Sequence, residues 1–109
     1  MNAQKFGPVQ IGIVLLALAT AVIHLALGIP NSLPMFILNG IGYIVLVAAL
    51  YLPQLKQYQG WVRWALIAFT AVTILGWVFI GARTPIAYLD KLVEVALIVL
   101  LLLEWKNSK

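Results

Sequence analysis

Tyr88-Leu-Asp-Lys-Leu-Val-Glu-Val-Ala-Leu97, read on through Ile98-Val-Leu-Leu-Leu-Leu103, places three ionisable residues at the head of a segment that is otherwise hydrocarbon. Beginning an apolar span after Glu94 would leave only Val95 to Leu103, about half of the ~20 residues that a ~30 Å hydrocarbon core requires. Asp90, Lys91 and Glu94 therefore belong inside the span. Counted from Pro85, Asp90 lies ~7 Å and Glu94 ~13 Å along a helix axis. Asp90 and Glu94 are four residues apart and share a face, and Lys91 reaches Glu94 from three residues before it. Each charge costs roughly 2.5–3.5 kcal/mol at mid-bilayer, so the three are expected to pair and to face a helical interior.

The rest of the chain supplies that interior. Of its 109 residues 64% are hydrophobic and 9% charged, with a mean hydropathy of +1.07. A chain this small cannot hide so much apolar surface from water, so its solvent is lipid. Four apolar segments have spanning length: about 9–27, 33–52, 61–80 and 85–105. Gly28-Ile-Pro30 stops the first, and Ser32 as N-cap with Pro34 in the first turn starts the second. Pro53 ends the second, Gly81 ends the third, and Thr84-Pro85 caps and opens the fourth. The short connections force antiparallel neighbours, which predicts a single-domain, all-α membrane protein: a four-transmembrane-helix antiparallel bundle. Ala17-Leu-Ala19 follows a basic start and has the form of a signal-peptidase site, yet the apolar run continues past it. The first helix is expected to be retained.

Orientation follows from the basic residues. Lys5, Lys56, Arg63, Lys106 and Lys109 share the side of both termini and the middle loop, while Arg83 and Lys91 lie on the other. This asymmetry predicts a multi-pass protein of the cell membrane with both termini cytoplasmic. The basic balance is read as topology and attraction to anionic lipid, not as nucleic-acid binding.

The two halves echo one another. Thr20-x-x-x-His24-x-x-x-Gly28 matches Thr73-x-x-x-Trp77-x-x-x-Gly81, and Pro34 to Asn39 matches Pro85 to Asp90. Two tandem helical hairpins, related by a parallel repeat, would produce this; so would chance in short apolar segments. Either way, His24, Asn39, Tyr43 and Arg83 fall in the same leaflet as Asp90, Lys91 and Glu94. Together these seven form the expected polar cluster and candidate ion or ligand site. Gly40 and Gly42 are expected to be helix-packing positions, because a missing side chain gains nothing against lipid.

The chemistry available is narrow. Without cysteine there is no thiolate ligand or nucleophile, and one histidine with three carboxylates is a poor ligand set for a structural zinc site, which is built mainly from cysteine and histidine. Neither a catalytic constellation nor a metal site is expected, and the chain is read as no enzyme. A neutral imidazole can ligate haem iron or a chlorophyll magnesium, so His24 is the one candidate tetrapyrrole ligand. The expected role is structural or accessory: packing with itself as a homo-oligomer, or within a larger membrane complex, through the outer polar cluster. An oligomeric small transporter or channel using Glu94, Asp90 and His24 is the alternative. Pigment binding through His24 is the third.

His24-Leu-x-Leu-Gly28, Asn39-Gly-x-Gly-Tyr43 and Asp90-Lys-x-x-Glu94 together resemble small four-helix prokaryotic integral membrane proteins of uncharacterised function. That resemblance implies a fold over nearly the whole chain and implies no activity. Small multidrug-resistance exporters share the size, but their membrane glutamate lies on the first helix, where this chain has His24. No site is transferred from them.

Overall fold

The computed structural model describes residues 7–81 and 83–107. It contains α1 (Pro8–Gly28), α2 (Pro34–Tyr51), a 3-10 turn (Pro53–Tyr58), α3 (Gln59–Ile80) and α4 (Pro85–Asn107). The described residues contain no strand. Helices α1, α2 and α3 are each long and apolar enough to cross a membrane. With 23 residues α4 matches them in length but not in composition, because of its charged opening.

Proline placement explains three of the starts. Pro8, Pro34 and Pro85 each occupy the first turn, where a missing N–H costs no helical hydrogen bond. At α4 the hydroxyl of Thr84 accepts from the Ala87 N–H at 3.3 Å, the expected cap. At α2 the expectation fails. The N-cap is Leu33, without a side-chain cap, and Ser32 takes a left-handed conformation (φ 53°) that turns the chain. The middle connection is more ordered than its sequence suggests. Pro53–Tyr58 coils into the 3-10 turn and runs straight into α3, while Gln59 Nε2 donates to the Leu50 carbonyl at 3.0 Å.

The four helices pack around a square, α1 on α2 and α4, and α3 on α2 and α4, in a body 44 × 22 × 20 Å. The first turns of α1 meet the last turns of α4 through Gln10 and Glu104, and the late His24 meets the early Asp90, so the two are antiparallel. The core is made by Ile13, Ala17 and Ala21 of α1, Tyr43, Val47 and Leu50 of α2, Leu66 of α3, and Leu97 and Leu101 of α4. Small residues set the close contacts. A side chain at Gly40 would strike Leu25 and the Ala21 carbonyl of α1, and one at Gly42 would strike the ring of Phe69 on α3. Both expected packing glycines thus face neighbouring helices. Nearly everything else on the flanks is exposed and apolar, Leu15, Val22, Val72, Leu92 and Val95 among them. Such a surface suits lipid.

Candidate functional site: a buried histidine–carboxylate cluster

Polar side chains meet at two levels of the bundle. At the level of the Gly28–Ser32 connection, α4 turns Asp90 and Glu94 inward, and both are buried, Glu94 completely. Their four-residue spacing puts both carboxylates on the face that meets α1 and α2. Thr20 of α1 donates to Asp90 Oδ1 at 2.5 Å and lies 3.2 Å from Glu94 Oε2. Tyr43 of α2 donates to Glu94 Oε2 at 2.7 Å. Lys91 closes the cluster from α4 itself, with Nζ 3.1 Å from Asp90 Oδ2 and 2.6 Å from Glu94 Oε1. His24 lies one turn beyond Thr20, its Nε2 3.6 Å from Asp90 Oδ2 and its Nδ1 2.8 Å from the Thr20 carbonyl. Phe36 and Tyr43 flank the imidazole with ring centroids at 5.5 and 6.0 Å.

Five of the seven residues singled out by sequence therefore meet: His24, Tyr43, Asp90, Lys91 and Glu94. The other two do not. Asn39 has the right depth but turns to α3, where its Nδ2 donates to the Thr73 hydroxyl at 2.8 Å. Its Oδ1 is buried with no hydrogen-bond partner among the described residues. Arg83 turns back on the end of α3, donating to the carbonyls of Trp77 and Val78 at 3.3 and 2.7 Å, with its guanidinium 4.2 Å from the Trp77 ring centroid. The exposed carbonyls at a helix C-terminus attract a cation, which is why Arg83 stays outside the cluster. Thr20 was missed by sequence reasoning. A threonine inside a helix ordinarily satisfies itself on its own backbone, as Thr70 and Thr73 do here.

The second level was also missed. Near the other end of the bundle, Glu104 of α4 accepts from Arg63 Nε of α3 at 2.9 Å, from the Tyr51 hydroxyl of α2 at 2.8 Å and from Gln10 Nε2 of α1 at 3.0 Å. One carboxylate thereby ties all four helices. Arg63 and Glu104 are each 3% exposed. In sequence both read as charges at the membrane boundary. The signal that would have found them is the Tyr–Glu pairing, since Tyr51 stands to Glu104 much as Tyr43 stands to Glu94, bridging the diagonal helices α2 and α4 at two heights.

The two levels differ in charge. Arg63 and Glu104 form a balanced pair, whereas at the upper level two carboxylates face the one ammonium of Lys91. His24, Asp90 and Glu94 also bring one donor atom each to within 4.8 Å of one another, a set able to hold a metal ion where no metal site was expected. A tetrapyrrole, by contrast, needs an open face over the ligating nitrogen, and His24 Nε2 is turned to Asp90 inside the bundle. Set against protein families, curated proteins and solved structures, the chain matches none.

Proposed function

We propose that this is a small integral membrane protein with a structural or accessory role, in which α4 is the fourth span and both termini lie in the cytoplasm. The seven basic residues support the orientation, five of them on the side of the termini. Length and internal pairing support the span, because each ionisable residue of α4 from Asp90 to Glu104 has a partner inside the bundle. Both polar clusters close within the chain, so a partner would meet an apolar flank.

The observation that carries this reading is the outer face of α3. Ala65, Ala68, Val72, Gly76 and Phe79 fall along one side of the helix at spacings of three and four residues, and all are exposed. Where Gly40 and Gly42 are filled against by neighbours, a side chain at Gly76 would meet nothing within 4 Å. Ala65, Ala68 and Gly76 leave little side chain on this face, which lets a second helix approach closely and has no use against lipid. The partner is a second copy of the chain or a helix of a larger complex. The test is disulfide trapping with a single cysteine at Val72 in native membranes. A cross-linked species weakened by adding Gly76→Leu supports the reading; a chain that stays monomeric and does not trap opposes it.

One observation favours a second reading, an oligomeric transporter or channel that uses Glu94, Asp90 and His24: two buried carboxylates and an imidazole gathered inside the bundle. Intramembrane ionisable groups commonly mark ion pathways. Glu94→Gln would abolish flux in reconstituted vesicles while the fold survived.

A further inference from the structure

Backbone geometry fixes which nitrogen of His24 carries hydrogen. Nδ1 lies 2.8 Å from the Thr20 carbonyl oxygen, which can only accept, so Nδ1 donates and the neutral ring holds its lone pair on Nε2. Nε2 faces Asp90 Oδ2 at 3.6 Å, too long for a hydrogen bond, and a proton on the ring or a shared cation makes that approach favourable. A ring N–H given to a backbone carbonyl, with the other nitrogen turned to carboxylates, is the arrangement that orients metal-ligating histidines.

The carboxylates are prepared in the same way. Thr20 holds Asp90 by Oδ1, and Tyr43 holds Glu94 by Oε2. The opposite oxygens, Asp90 Oδ2 and Glu94 Oε1, are the two that Lys91 Nζ occupies, at 3.1 and 2.6 Å. Lys91 therefore marks a cation position walled by two carboxylate oxygens, one of which, Asp90 Oδ2, also lies 3.6 Å from His24 Nε2. One ammonium faces two carboxylates there; a divalent ion in its place would match the charge of both when they are ionised. At metal–ligand bonds of about 2.0–2.2 Å, two ligands of one ion lie about 3–4.4 Å apart, so small side-chain movements close this triad. Lys91 is also the member with a way out. Its side chain keeps 11% exposure six residues into α4, and a lysine stem can carry its head to the interface.

We propose that His24, Asp90 and Glu94 form a binding site for one divalent transition-metal ion, which enters by displacing the Lys91 ammonium. The imidazole nitrogen favours zinc, iron, cobalt or nickel over magnesium and calcium, which take oxygen ligands. This goes beyond the accessory role and does not depend on it.

The test is titration of the full chain, purified in mild detergent and stripped of metal, with Co2+ followed by visible absorption, together with melting in the presence of Zn2+. Wild type is expected to take one ion per chain and to melt higher with Zn2+ than with Mg2+. Lys91→Met removes the competing cation and should bind at least about tenfold tighter, whereas Thr20→Val loosens the Asp90 carboxylate and should bind about tenfold weaker. His24→Gln should lose the nitrogen-ligand signature and the saturable absorption. Absence of saturable Co2+ binding in wild type overturns the proposal, and so does binding that is unchanged in a folded His24→Gln. If His24→Gln does not fold, Lys91→Met decides: affinity equal to or weaker than wild type overturns it.

Discussion

Replacing Glu104 by glutamine removes the charge on which all four helices converge. The amide can still accept through its one remaining oxygen, but only from some of Arg63, Tyr51 and Gln10, and it cannot balance the guanidinium. Breaking a buried ion pair from one side costs about 3–5 kcal/mol, because the other charge stays buried without compensation. Arg63 lies in the second turn of α3 and has a long stem, so partial escape to the interface places the expected loss near the lower end, about 3 kcal/mol. Arg63→Met combined with Glu104→Gln should recover much of that loss, since no charge then remains buried, and the double-mutant cycle should show a coupling of about 2 kcal/mol or more. Unfolding in mixed micelles, followed by tryptophan emission, reads this locally: Trp64 and Trp105 stack edge to face with centroids 5.5 Å apart beside the pair. A Glu104→Gln variant within about 0.5 kcal/mol of wild type, with no coupling to Arg63, would refute the reasoning.

At the upper level, Tyr43→Phe removes the donor on Glu94 Oε2 while keeping the ring packed edge-on against Phe69 at 4.9 Å. It should destabilise the bundle by about 1–3 kcal/mol, measured by the same unfolding assay, and no loss would show that Glu94 does not need the bond. Gly40→Leu must push α1 from α2 at Leu25 and Ala21, costing on the order of 1–3 kcal/mol as overpacking. Unchanged melting in that variant would remove the close helix approach from the account.

The legible part of the structure was the part that apolar composition dictates. Asp90 and Glu94 interrupt an apolar run, so the cost of exposing them to lipid predicted that they turn inward, and position along the helices nominated His24 and Tyr43 as partners. Depth does not give direction around the axis. Asn39 shares the level but looks to Thr73 on α3, and Arg83 found helix-end carbonyls closer than the carboxylates. Arg63 and Glu104 were hidden for a different reason. Charges near the ends of membrane helices are ordinary boundary markers, and nothing in the spacing says that these two point inward. The Ser32 turn was misread because serine is a good cap by type, whereas here its backbone, not its hydroxyl, makes the turn.

The charged composition of α4 makes its crossing the central point of the proposed topology, since the orientation requires that its ends lie on opposite sides. Single cysteines at Thr84 and Asn107 in intact cells, treated with a membrane-impermeant thiol reagent before and after permeabilisation, measure this directly. Thr84 is expected to be labelled from outside and Asn107 only after permeabilisation. Labelling of both from the same side would contradict this topology.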